Sequence, residues 1–240
     1  MRRSLLIVAI GWLSLAAGCM NAPDGSGKSN AVNGNVTPAP SGGASTVNGS
    51  IHVPAGQPSG NVSTVNGSIQ IDPNAQVENA AAVNGGISVG AHATASALNT
   101  VNGGISLEEG ARVGKTVTSV NGTLTLQDGA DITGALANVN GRISLTAAHV
   151  GGGIKTVNGD IDVGKNSHVE GGIHVEKAGN SWFGGGGSGT PPRIVIGPGA
   201  VVQGDLRFDR EVKLYVSDTA QIGQVIGATA VKFSGDNPPS

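Results

Sequence analysis

Aliphatic and polar residues alternate along this chain in short runs that recur at a fixed interval. Gly67-Ser68-Ile69-Gln70-Ile71, Gly103-Gly104-Ile105-Ser106-Leu107 and Gly141-Arg142-Ile143-Ser144-Leu145 are three copies of one pattern. Strict period-2 alternation places the aliphatics on one face of a short strand and Ser, Gln or Arg on the other. A few residues later comes a small residue, a variable one and a β-branched one, as in Ala111-Arg112-Val113, Ala130-Asp131-Ile132 and Ser167-His168-Val169. A further aliphatic (Val62, Leu98, Val117, Leu136 or Ile154) leads into the next copy. The pattern predicts three short strands per copy, joined at corners rich in Gly and Asn, which accept positive φ. No window keeps an i, i+3, i+4 apolar stripe, and 41 glycines among 240 residues would interrupt any helix.

The tripeptide Val-Asn-Gly heads each copy. Its valines are Val32, Val47, Val65, Val83, Val101, Val120, Val139 and Val157, with a first step of 15 residues and later steps of 18 or 19. A period of this length is one turn of a β-solenoid. The expected fold is therefore all-β, a single-stranded β-helix of about 9–10 turns. Turns stacked about 4.8 Å apart would align Asn48, Asn66, Asn84, Asn102, Asn121, Asn140 and Asn158 in a column whose amides can bond one to the next. Alternatively Asn-Gly supplies only a turn, and unbroken alternation from Val101 to Leu107 would put Asn102 on the outer face. Either way the Asn is expected to be structural.

Composition fits a narrow aliphatic core: aromatics are 2%, charged residues 12%, and mean hydropathy is +0.03, which argues against a membrane-embedded body. The N-terminus is of another kind. Met1-Arg2-Arg3 is a short positive region, Leu5 to Leu15 an apolar one too short to span a bilayer, and Ala16-Ala17-Gly18-Cys19 a small-residue cleavage site ending in the only cysteine. This ending resembles a bacterial lipoprotein lipobox. The resemblance implies cleavage before Cys19 and a diacylglycerol on its sulfur, with further acylation of the amino group. Met20, where an Asp would favour inner-membrane retention, points to an outer membrane. The alternative is a plain secretory signal.

The resulting boundaries are a signal peptide at 1–18, a flexible Gly/Ser/Pro-rich tether at 19–45, a solenoid at 46–235 and a loose tail at 236–240. Within the solenoid, 177–192 reads as a Gly-rich inserted loop carrying Trp182 and Phe183, the best candidates for a partner contact. Residues 193–235 read as irregular final turns. Phe208, Tyr215 and Phe233 are expected to cover the core at that end, and Pro238 and Pro239 to discourage end-to-end pairing, giving a mainly monomeric rod.

Two β-solenoid families resemble the repeats. The Val-Asn-Gly-x-Ile-x-Val units from Thr46 to Val163 look like adhesin-like, head-domain repeats of bacterial envelopes. The segment Ile194-Val195-Ile196-Gly197-Pro198-Gly199-Ala200-Val201-Val202-Gln203-Gly204-Asp205-Leu206 looks like a bactofilin, a polymer-forming cytoskeletal β-helix. Both resemblances imply right-handed solenoids, and neither implies catalysis.

Candidate chemistry is sparse. The acidic residues are scattered, and Asp160 with Asp162 offers at most a weak cation site on a solvated face. His92, His149 and His168 read as one slot of the small-x-β-branched unit, where stacked imidazoles could bind a metal or sense pH. The same slot holds Gln76, Arg112 and Asp131 in other copies, which marks it as an unconstrained surface position, so no metal, cofactor or catalytic residue is assigned. The Gly-rich loop lacks Gly-Lys-Ser/Thr. Without Arg2 and Arg3 there are 12 basic against 16 acidic residues and no basic stripe, which excludes nucleic acid. The expected function is a non-enzymatic, lipid-anchored envelope rod acting as a structural or adhesin-like interaction module, with an envelope protein or polysaccharide as partner. The alternatives are a bactofilin-like self-assembling scaffold and, more remotely, a polysaccharide-active enzyme.

Overall fold

A computed structural model describes residues 27–177 and 190–238. Every strand pair in it is parallel, and no helix occurs among the described residues. The chain winds as a parallel β-solenoid of about 11 turns with about 18 residues per repeat.

Each regular turn has three sides. The Ile-x-Val runs form one, a ladder of ten strands from Ile51–Val53 and Ile69–Ile71 to Lys213–Ser217 and Ala230–Phe233. The second holds the strands that end in the tripeptide Asn, such as Val62–Asn66 and Val117–Asn121. Two-residue strands such as Arg112–Val113, Asp131–Ile132 and His149–Val150 make the third. Gln76–Asn84 and Thr94–Asn102 run through the second and third sides unbroken. They carry Glu78-Asn79 and Ser96-Ala97 where later turns have a glycine corner at Gly114, Gly134 or Gly152.

Register converts the repeat into a core. Ile69 sits over Ile51, Ile87 over Ile69, Ile105 over Ile87 and Leu124 over Ile105, all at 2% exposure or less. A second column runs Val53, Ile71, Val89, Leu107 and Leu126, equally buried. Ala75, Ala93, Ala111, Ala130 and Ala148 fill the narrow corner opposite. Each turn thus buries aliphatic side chains against its two neighbours, and stability accumulates along the stack.

The structure revises two expectations. The ladder begins earlier than residue 46: Ser29–Asn33 pairs with Ala44–Asn48, Asn33 facing Asn48, and Val36 is buried and bridges to Ile51. Val32-Asn33-Gly34 is therefore the first corner, and that turn is short because the chain goes from Val36 to Ala44 without a two-residue strand. The aromatic cover is also different. Phe208 is buried one turn below the end, beside Val175, and Tyr215 lies on the outer face with the Arg193 guanidinium 5.0 Å from its ring centre. Phe233 alone shields the last turn, where Ile222 and Val225 are half-buried and Ile226 and Val231 are 41% and 50% exposed. Asp236, Asn237 and Pro238 line a cleft of about 510 Å³ with Asp162, Lys165 and Arg193, with Asp236 and Asn237 themselves exposed.

Candidate functional site

The most regular chemistry of the molecule lies along the tripeptide corner. Asn48 donates from Nδ2 to Asn33 Oδ1 at 2.9 Å, Asn66 to Asn48 at 2.8 Å, and Asn84 to Asn66 at 2.9 Å. Asn102, Asn121, Asn140 and Asn158 continue the chain at 2.9, 2.9, 2.8 and 3.1 Å. All seven asparagines read from the sequence are in the column, and Asn33 extends it to eight. Every amide donates toward the N-terminal end and accepts from the C-terminal side, so the amide dipoles add and leave an acceptor exposed at Asn158. Arg210 meets it: its Nη1 donates to Asn158 Oδ1 and, at 3.1 Å, to the Val157 carbonyl. A cation at the negative end of an aligned dipole row follows the logic of a helix C-terminus.

Glycine follows Asn for a backbone reason. A Cβ on Gly67 would lie 2.0 Å from the Gly49 carbonyl oxygen, and one on Gly85 1.9 Å from that of Gly67. The corners stack too closely for any side chain.

A second polar column lies just inside. The residue before each tripeptide is turned into the core, and Thr46, Thr64, Thr100 and Ser119 donate their hydroxyls to the carbonyls of Gly34, Gly49, Gly85 and Gly103 in the turn before. Asn138 Nδ2 does the same for Gly122 at 2.8 Å. Ala82 interrupts the column in the fourth copy, and at its C-terminal end Asn138 Oδ1 and Thr156 Oγ1 are buried without a partner. Sequence reasoning missed this column, although small hydroxyl residues before the tripeptide were the signal for it.

Ionisable groups cluster on the outer faces. His149 binds Asp131 through Nδ1 at 2.5 Å and Glu170 through Nε2 at 3.3 Å, and its ring centre lies 5.7 Å from that of His168. The Asp131 hydrogen bond, outweighing partial burial and aided by Glu170, raises the His149 pKa above the ordinary histidine value. His168 Nε2 lies 3.0 Å from Gln203 Nε2. Asp209 is held below the usual carboxylate range by its hydrogen bond to His174 and then by Arg207. Asp72 is lowered chiefly by its hydrogen bond to His52. Burial pushes Asp162 up, against the opposing charges of Arg142 and Arg193. An open groove of about 620 Å³ runs along the short-strand side from Ser41 to Thr133, with Gln76, Glu78, Thr94, Arg112 and Asp131 in its wall.

The structure places the other predicted residues as follows. Cys19, Trp182 and Phe183 lie outside the described residues. His149 and His168 share one slot on consecutive turns, as read, with Arg112 and Asp131 in the same row. His92 does not: Thr94 takes that slot, and His92 sits two residues earlier at a corner with φ 57°. The misreading arose because Ala91-His92-Ala93 and Ala93-Thr94-Ala95 both fit a small-x-small unit. Asp160 and Asp162 do not converge on a cation, since Asp160 accepts the Arg193 backbone N–H at 2.9 Å and faces Arg142 at 3.5 Å. Among the described residues no group of three or more His, Cys, Asp or Glu side chains is arranged to hold a metal ion. Comparisons with family models, curated proteins and solved structures find no match to this chain.

Proposed function

We propose that this chain is a non-enzymatic, lipid-anchored rod of the bacterial envelope. It is held at Cys19, in an outer membrane, and presents its side faces to a protein or polysaccharide partner. The observation that carries the reading is the unbroken asparagine column, from Asn33 to Asn158, bonded at every step. A body of about 11 turns held in this way is stiff and roughly 50 Å long. Several of its ionisable side chains pair with neighbours in adjacent turns, as Asp131 does with His149 and Asp72 with His52. The groove from Ser41 to Thr133 gives an extended partner a place to lie along the axis. Growth of a bacterial host with labelled palmitate tests the anchor: label should enter the full chain and not Cys19→Ser, which should leave the membrane fraction. Label retained by that variant would overturn the anchor.

A second reading, self-assembly through the solenoid ends as the bactofilin resemblance implies, is favoured by the state of the last turn. Ile226 and Val231 are exposed there, and the strands Val225–Ile226 and Ala230–Phe233 each have one unpaired edge. Electron microscopy of the soluble Cys19→Ser protein separates the two: single short rods support the monomer, and filaments support assembly.

A further inference from the structure

We propose that Asn158-Gly159 is a self-modification site, at which the asparagine is selectively converted to a carboxylate. Asn-Gly is the sequence in which an asparagine side chain is most open to attack by the next backbone nitrogen, because glycine offers no side chain to hinder ring closure. This chain has eight such pairs, and the solenoid treats them unequally.

In the first six, the glycine nitrogen is tied down. Gly34, Gly49, Gly67, Gly85, Gly103 and Gly122 each donate their N–H to the Asn carbonyl of the next turn, at 2.9 to 3.1 Å. The ladder changes at the end of the column: the Asn158 N–H donates back to the Val139 carbonyl at 2.8 Å, and among the described residues no such bond holds Gly141 or Gly159. Asn158 differs from Asn140 in a second way. The Asn140 Oδ1 accepts from a neutral amide, whereas the Asn158 Oδ1 accepts from the Arg210 guanidinium. A cation at that oxygen draws electrons from Cγ and stabilises the negative charge that an attack would place there. The Asn158 Nδ2 link, at 3.1 Å, is also the longest in the column.

The chemistry balances with water alone. Hydroxide removes the Gly159 N–H proton, the nitrogen forms a bond to Cγ of Asn158, and the electron pair moves onto Oδ1 beside Arg210. The Cγ–Nδ2 bond then breaks and ammonia leaves with a proton from water, closing a five-membered imide. Addition of water to either imide carbonyl opens it to aspartate or isoaspartate. The product carboxylate at 158 faces Arg210, a charge-assisted pairing that the amide lacked. It can no longer donate to Asn140, so the modification detaches the last rung and puts a negative charge at the end of the column.

The test uses the full chain, kept folded at mildly alkaline pH and sampled over time by peptide mapping. The tryptic peptide from Thr156 to Lys165 reports position 158 by the mass change of amide to acid. Conversion there should run about tenfold faster than at Asn66, Asn84 or Asn102, each of which must first break a ladder hydrogen bond. In urea the eight rates should converge, because the unfolded chain protects none of them. Arg210→Met should slow position 158 several-fold, and Arg210→Lys should restore part of the rate, with circular dichroism confirming that both variants fold. Equal rates along the folded column, or faster conversion at an interior Asn, would overturn the site. An unchanged or faster rate in Arg210→Met would overturn the role given to the guanidinium.

Discussion

The tripeptide contains two separable devices, an amide ladder and a backbone contact, and substitution of neighbouring residues in one turn weighs them. Asn84→Ala removes two side-chain hydrogen bonds, to Asn66 and from Asn102, both 2.9 Å. The amides left behind are on the surface, where water replaces the lost partners, so the loss should be about 1–2 kcal/mol. Gly85→Ala meets backbone instead. The new Cβ would lie 1.9 Å from the Gly67 oxygen, 2.6 Å from its carbon and 3.2 Å from the Ser68 nitrogen. Relief to ordinary contact requires the turns to part by more than an ångström. The Gly67 N–H bond to Asn84 and the Ile69 N–H bond to Gly86, now 3.1 and 2.9 Å, would then be out of hydrogen-bonding range. Two ladder bonds and the strain together should cost about 4 kcal/mol or more. Guanidinium unfolding followed by far-UV circular dichroism reads both variants against the parent. Because each turn contacts only its neighbours, Gly85→Ala should also lower the slope of the transition by letting the two ends of the rod unfold separately. An Asn84→Ala loss equal to or larger than that of Gly85→Ala would refute this reasoning and give the tripeptide to its amide ladder.

Three further outcomes follow from individual contacts. His149 has a folded pKa above its unfolded value, so its pairing with Asp131 stabilises fully below the ordinary histidine range and is lost as pH rises through the raised value. His149→Gln should therefore be destabilising at about pH 5 and near neutral at about pH 9, and a pH-independent difference would contradict it. Asp162, raised by burial, loses stability as pH climbs from its unfolded to its folded value, so Asp162→Asn should raise the melting temperature at neutral pH but not in acid. Thr64→Val strips the Gly49 carbonyl of its donor and should cost about 1 kcal/mol or more, whereas Thr156→Val removes a hydroxyl that has no partner and should be neutral or stabilising in the same denaturation assay.

The parts of this structure that repeat were legible in the sequence, and the parts that occur once were not. Ile105 and Leu107 announce their burial by alternation, and the same alternation in every turn fixes the register that stacks them. The Asn column was legible for the same reason: a polar residue recurring at the pitch of the coil must meet its own copies. The Thr46, Thr64 and Thr100 column was less periodic, with Ala82 between its members, and a hydroxyl beside Val-Asn-Gly looks like one more strand-surface residue until the backbone shows it turned inward. Arg210 left no such trace, because its partner is 52 residues away and the pairing has no second copy. Phe208 was misplaced by a related error: a bulky residue near the end of a sequence need not lie at the end of a stack when one more turn, from Lys213–Ser217 to Ala230–Phe233, follows it.

That difference says where specific function can reside on a body of this kind. Side chains repeated in every turn serve the stack, and replacing one costs stability without changing what the surface recognises. Specificity needs features that occur once. Here they gather in the C-terminal half: the amide column stops at Asn158, and in the polar column Asn138 Oδ1 and Thr156 Oγ1 are buried without a partner. Arg210 reaches back to the last amide of the column. The His149 pairings with Asp131 and Glu170, the packing of its ring near His168, and the cleft lined by Asp162, Arg193 and Asp236 fall in the same region. The N-terminal turns, in which corner, column and core recur with little change, set the distance between that region and whatever lies before Gly27. On the proposed reading the first turns offer the groove from Ser41 to Thr133 along which an extended partner lies, and the features that occur once, further along the rod, make the contact specific.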